Sequence, residues 1–186
     1  MSNVLDAIYQ RRSCRAYTSE PLTPDQVDAL IKAAVSSPSA VNSQPWHFTF
    51  VHNQALLDRM NQAVRRQAMK DPQNASSRLA GEDFHVFYHA PTVVFLSADS
   101  VNPLRYGQLD CGIAVENLAL AAQGLGLGSV ILGMPREAFS SEEGDEFRRL
   151  LRFPKDYDFK IAIAIGHSAM TKEAHPVKEN LVDIVT

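Results

Sequence analysis

The chain is poor in the features that would assign it quickly. It has two cysteines in 186 residues, Cys14 and Cys111, far apart and without zinc-ligand spacing. That excludes a disulfide framework and a cysteine-based zinc module. Neither sign of charge dominates: 18 basic residues against 21 acidic ones leave a net charge of -3, which argues against nucleic acid as the main partner. No apolar run approaches the roughly 18 residues of a membrane span. Met1 to Tyr9 lacks both the basic region and the apolar region of a secretory signal. The reading is therefore a cytoplasmic protein with no membrane partner. Also missing are a Ser-His-Asp order and a paired-carboxylate motif; Asp110 and Glu116 are badly spaced for acid–base work. A chain without a visible nucleophile points to chemistry carried by a cofactor.

What is present is concentrated near the start. Arg11-Arg12-Ser13-Cys14-Arg15 gathers three guanidinium groups around a hydroxyl. Arginine donors match phosphate oxygens in a bidentate fork, although the same cations would also suit a solvated helix end. Ser37-Pro38-Ser39-Ala40-Val41-Asn42-Ser43-Gln44-Pro45-Trp46 packs hydroxyls and amides between prolines and ends on the only tryptophan. Such residues form turns, but a plain turn does not need ten of them. The pair suits a phosphorylated aromatic cofactor.

At 45% hydrophobic residues the chain has a core's worth of apolar side chains, and residues 1–186 read as one domain. Asn3–Arg12 reads as a short helix with a cationic last turn. Thr23, Pro24 and Gln26 make a capping box for a second helix. Trp46–His52 reads as a strand, Leu56–Lys70 as an amphipathic helix, and Asp71–Asp83 as a polar excursion or lid. Thr92–Ala98 is a buried strand. Asp110–Gln123 is apolar nearly all round, so it needs cover on most sides. A subunit interface would supply the second cover, and a charge at Leu118 is expected to break it. Ser129–Leu132 is a strand, Ser140 and Glu143 a capping box for a helix to Leu151, and Ile161, Ile163 and Ile165 mark a core strand. The mix is α/β or α+β.

Three other features have plainer readings. The glycines of Gly124-Leu125-Gly126-Leu127-Gly128 follow a helix rather than a strand, which suits a C-cap and not a dinucleotide fingerprint. His85 and His89 have no carboxylate at ligand spacing and read as structural, so no metal is expected. Cys14 among arginines is a candidate reactive thiol, with packing beside the pocket as its other use.

Taken in order, these segments resemble the FMN-dependent nitroreductase family. The resemblance rests on Arg11–Arg15, Ser37–Trp46, His89-Ala90-Pro91, Asp110–Gly128 and Ala162–Gly166, and runs nearly the whole chain. It implies an α+β fold with a central mixed sheet flanked by helices, and an intertwined homodimer with FMN sites at its interface. Arg11, Arg12 and Ser13 would hold the phosphate and ribityl chain. Arg15 would lie beside the pyrimidine side of the ring, where a cation stabilises charge on reduction. Pro38, Ser39, Ala40 and Asn42 would come from the partner subunit, with Gln44 following. Ile131, Leu132 and Gly133 would cover one flavin face. Lys178 matches a basic residue that completes the phosphate site, with Lys172 as its rival. Ala40 stands where a second serine is common. The implied activity is ping-pong transfer from NAD(P)H to nitroaromatics, quinones or related acceptors. Other flavin chemistries on the same fold are dehydrogenation, dehalogenation and flavin fragmentation. A non-enzymatic FMN-binding redox sensor using Cys14 is a further alternative.

Overall fold

The computed structural model describes residues 3–70, 81, 83–101 and 106–186. Nearly all of the expected 71–83 excursion lies outside them. In chain order the elements are α1 (Val4–Gln10), α2 (Pro24–Val35), a 3-10 turn (Ala40–Asn42), β1 (Trp46–Val51), α3 (Gln54–Ala68), β2 (Thr92–Asp99), α4 (Gly107–Gly124), β3 (Gly128–Leu132), α5 (Arg136–Phe139), α6 (Gly144–Leu150) and β4 (Tyr157–Gly166).

The four strands form one sheet in the order β1-β2-β4-β3. Each neighbouring pair is antiparallel. Among the described residues, its parallel component is a single bridge between Ser13 and Ser129. Alternation along β4 sorts side chains onto two faces. Ile163 and Ile165 join Val94, Leu96, Leu30, Leu118 and Ala122 beneath α2 and α4. Ala162 and Ala164 join Phe95, Phe87, Leu57, Phe139 and Phe147 beneath α3, α5 and α6. The alanines leave room for the aromatic cluster, where the Phe139 and Phe159 rings stack at 4.9 Å. This is the α+β arrangement of helices on both sheet faces.

Local signals act as the sequence suggests at α2, where Thr23 and Gln26 form the complete capping box. Two expectations need correction. The first helix stops at Gln10, so Arg11 and Arg12 lie beyond its last turn. Ser140 and Glu143 form no capping box: Glu143 precedes α6 without a side-chain cap. Its carboxylate instead pairs with Arg59 at 2.9 Å and with Arg66 on α3. Two guanidinium partners from a neighbouring helix outcompete one local amide.

The glycine run ends α4 as a Schellman motif. Leu127 N–H donates to Ala122 O at 2.8 Å and Gly126 N–H to Gln123 O at 3.1 Å. Gly126 sits at φ +75°, the left-handed position that favours glycine. Gly128 serves a different purpose: a Cβ there would meet Cys14 Sγ at 2.8 Å.

Segment 84–89, just before β2, is clamped to α3. Asn61 Oδ1 accepts from Val86 N–H at 2.9 Å. The buried His85 places Nε2 3.1 Å from Asp58 Oδ1, while its Nδ1 accepts Phe87 N–H. An acceptor Nδ1 requires the proton on Nε2, which therefore donates to Asp58. Asp58, His85 and His89 offer ligand atoms within 4.8 Å of one another. The tautomer rules out His85 Nε2 as a metal ligand while the Phe87 bond stands. Burial, then repulsion from His89, lowers the His85 pKa, with Asp58 opposing.

Two predictions follow from this packing. Gly128→Ala is expected to cost about 1–3 kcal/mol through overpacking against Cys14, while Gly124→Ala, which meets nothing within 4 Å, leaves stability unchanged or raised. Thermal denaturation of both variants checks the contrast. Because the His85 pKa is lower in the folded chain, the unfolded chain binds more protons as pH falls through about 6.5. Stability is thus present above that pH and falls as the medium acidifies, by at most about 1.4 kcal/mol per pH unit for one group. His85→Gln is expected to flatten the fall in Tm between neutral pH and pH 5.

Candidate functional site

The arginine segment runs along the sheet edge at β3 and turns back over β4. Cys14 N–H donates to Ser129 O at 2.8 Å, and Tyr17 forms a bridge with Ser168. The Tyr17 hydroxyl donates to Cys14 O at 2.9 Å, with Ala164 O as a second acceptor at 3.3 Å. Burial pushes its pKa well above the ordinary phenol value, so it remains a donor. Sequence reading missed Tyr17, although a tyrosine two residues past the arginine cluster is the residue that fixes its register.

This anchoring parts the three arginines. Arg11 Nε lies 3.4 Å from Glu116 Oε1 on α4. Arg12 folds its Nη1 onto the carbonyls of Tyr9 and Arg11, at 2.7 and 2.8 Å, closing the end of α1. Arg12 also lines a cavity of about 330 Å³ with Gln10, Cys14, Ser168 and Lys172. Arg15 is half-buried; its Nη1 reaches Ser13 O at 3.4 Å, while its Nε is buried without a partner. Ser13 is half-buried on the bridge to β3. Cys14 is 5% exposed, with Sγ 3.1 Å from both Ser168 Oγ and Ala16 O.

The 37–44 loop is a compact 3-10 turn held by its own side chains. Ser39 Oγ accepts Gln44 N–H at 3.0 Å, and Gln44 Nε2 donates to Asn42 Oδ1 at 3.0 Å. Val41, Asn42 and Gln44 all have φ between 45° and 52°. A β-branched residue rarely accepts that conformation. Pro38, Val41, Asn42 and Gln44 are exposed, and Ser39 and Ala40 half-buried. From behind, α4 ties the loop twice. Asp110 Oδ1 accepts Ala40 N–H at 3.1 Å, and Asn117 Nδ2 donates to Ser37 Oγ at 2.9 Å. Both tethers were invisible as pairs in the sequence, although Asp110 stands out as one of two acids on an apolar helix.

Along β3 and just beyond it, Ile131 is 36% exposed, Leu132 is buried and Gly133 is exposed. Ile131 lines a cavity of about 940 Å³ with Leu109, Ile113, Glu116, Lys160 and Ile161. Lys160 is the extra residue where β2 and β4 slip register between Leu96 and Ser97. Of the two candidate lysines, Lys172 lines the same cavity as Arg12. Lys178 is exposed on the C-terminal segment, which has no regular structure. Arg12, Cys14 and Lys172 thus share one cavity, while the 37–44 loop is held separately by Asp110 and Asn117 of α4. Among the described residues, no helix is long and apolar enough to cross a membrane.

Comparison with known proteins identifies the family. The model of the Nitroreductase family matches residues 8–167. A protein from Archaeoglobus fulgidus, provisionally named NADH dehydrogenase/NAD(P)H nitroreductase, is 33% identical over 177 residues, covering 93% of this chain and 90% of that protein. FMN reductase [NAD(P)H] of Bacillus subtilis is 29% identical over 179 residues, covering 91% of this chain and 67% of the other. A nitroreductase with bound FMN from Desulfitobacterium hafniense superposes with a TM-score of 0.92 over 100% of both chains, at 29% identity. The fold, the order of the motifs and the family match agree: the chain belongs to the nitroreductase family.

Proposed function

We propose that the chain is an FMN-dependent oxidoreductase that uses NAD(P)H to reduce nitroaromatics, quinones or related acceptors. The observation that carries the reading is one unsatisfied donor on the cationic 11–15 segment, in a chain that matches an FMN-bound nitroreductase end to end. The buried, partnerless Arg15 Nε is a donor awaiting an acceptor. Arg12 and Lys172 facing one cavity suit a phosphate. Both fit the proposed cofactor.

On this reading Arg11, Arg12 and a lysine hold the phosphate, and Ser13 hydrogen-bonds the ribityl chain. Lys172 is the better placed lysine, with Lys178 on the segment beyond it. Arg15 faces the pyrimidine edge, where its charge favours the reduced ring. Ile131, Leu132 and Gly133 cover one face. FMN, when bound, supplies the two-electron carrier between nicotinamide and acceptor. The protein's part is positioning and water exclusion rather than a reacting side chain. A sensor built on Cys14 gains no support from a thiol this buried and doubly hydrogen-bonded. Two buried free thiols fit the reducing cytoplasm.

The same reading includes a homodimer. The apolar side of α1 is uncovered: Val4 is 69% exposed and Tyr9 66%. On α4 Leu109 is 65% exposed and Ile113 43%. Contiguous apolar exposure of this kind marks an interface. Helical geometry adds a second argument. At about 100° per residue, Asp110 and Asn117 share one side of α4, whereas Glu116 lies about 120° around from Asp110. The loop and Arg11 therefore attach to different flanks of one helix, which suits two sites each shared between subunits. Leu118, by contrast, is fully buried in the core. A charge there would unfold the chain rather than separate subunits, which corrects the expectation from sequence.

The purified protein is expected to show oxidised-flavin absorbance that NADH or NADPH bleaches anaerobically; failure to take up FMN, or no bleaching with either nucleotide, would contradict the reading. Arg11→Ala is expected to weaken FMN binding at least tenfold, as for a charge-assisted bond worth roughly 1.5–3 kcal/mol. Ile113→Glu is expected to give monomers that lose FMN, checked by light scattering with absorbance; a monomer that keeps its flavin would exclude shared sites.

A further inference from the structure

Two polar side chains on α4 have no part in the chemistry above, yet both act on the 37–44 loop. Asp110 is 2% exposed on a helix whose other buried residues are all apolar or glycine. One of its oxygens accepts Ala40 N–H at 3.1 Å; the other is buried without a partner. A carboxylate in such a place is costly unless it is used. Seven residues on, and so on the same side of the helix, Asn117 Nδ2 donates to Ser37 Oγ at 2.9 Å.

The loop they hold has reason to relax. Val41, Asn42 and Gln44 sit at φ 49°, 52° and 45°, a region that non-glycine residues occupy only when their surroundings over-determine it. Val41 is 97% exposed, so its own packing does not hold it there. The bonds from Ser39 to Gln44 and from Gln44 to Asn42 lie inside the loop. They fix its shape but not its position relative to the sheet. Ser37 bonds back to the end of α2, and Asp110 and Asn117 attach the loop to α4.

We infer that Asp110, with Asn117, is a positioning residue for flavin binding: it holds the internally braced 37–44 loop in place against α4, so that Asn42 and Gln44 are presented outward at a fixed height above the helix. The inference rests on the flavin reading above. It adds that affinity for FMN depends on a buried carboxylate that need not touch it.

The test uses full-length apo-protein reconstituted with FMN, followed by quenching of flavin fluorescence, with amide exchange on the same samples. Asp110→Ala is expected to raise the FMN Kd roughly fivefold or more, as for loss of a buried hydrogen bond, and to deprotect the Ala40 amide. Asp110→Asn retains an acceptor and is expected to return both readouts to within about threefold of wild type, which a general loss of stability would not do. Asn117→Ala is expected to weaken FMN binding less, with Tm unchanged. If Asp110→Ala binds FMN as wild type does, or if Asp110→Asn is no better than Ala, the inference falls and the flavin reading stands. If Asp110→Ala does not fold, Asn117→Ala decides: a Kd equal to wild type overturns the inference. Wild-type protein that takes up no FMN would overturn both.

Discussion

The structure depends on the burial of α4 against the sheet. Ala114, Leu118, Ala119 and Ala122 are fully buried on it, opposite Val94, Leu96, Ile163 and Ile165. That burial fixes the helix as a rigid frame, because a close-packed core does not yield gradually. Everything proposed for function is attached to this frame. Glu116 meets Arg11, Asp110 meets Ala40, and Asn117 meets Ser37. The Schellman turn at its end delivers β3, whose Ser129 carbonyl seats Cys14.

A chain that lends its chemistry to a cofactor must excel at placement, and the local structure is consistent with that demand. Tyr17 spends a buried hydroxyl on one backbone carbonyl of the cationic segment. Gly128 forgoes a side chain so that Cys14 can approach. Arg12 is folded back on the end of α1, where a cation also meets the negative end of the helix dipole. The strained turn at Val41 is the costliest piece, and it is the piece with two tethers. Strain held in place by a buried acid is more readily understood as preorganisation than as accident.

Much of the fold was legible in the sequence, and for identifiable reasons. The Thr23–Gln26 box, the continuous run of β2, the alternation in β4 and the glycine C-cap are local signals, complete within a few residues. The Ser140–Glu143 pattern failed because Arg59 and Arg66, far away in the chain, compete for the same carboxylate. The Asp110–Ala40 bond spans 70 positions, and the Asp58–His85 bond spans 27; neither spacing carries a local signature. The cationic segment reads as a candidate site in the sequence, but nothing local shows that its arginines diverge toward α4, α1 and the sheet. That divergence is set by Tyr17 and by the bridge to Ser129, which only the folded edge reveals. Leu118 was misread for the same reason: composition marks α4 as apolar, but only packing says which side faces the sheet.

The central claim is that each site combines the 11–15 segment of one subunit with the 37–44 loop of another. Subunit complementation tests it most directly. Arg15→Ala and Asn42→Ala proteins, each impaired in FMN uptake, are mixed, dissociated and allowed to reassociate. Random pairing makes half of the dimers mixed, each with one intact site and one doubly altered site, so the account predicts recovery of about a quarter of wild-type tight FMN sites. Recovery no greater than the sum of the two separate variants would contradict it.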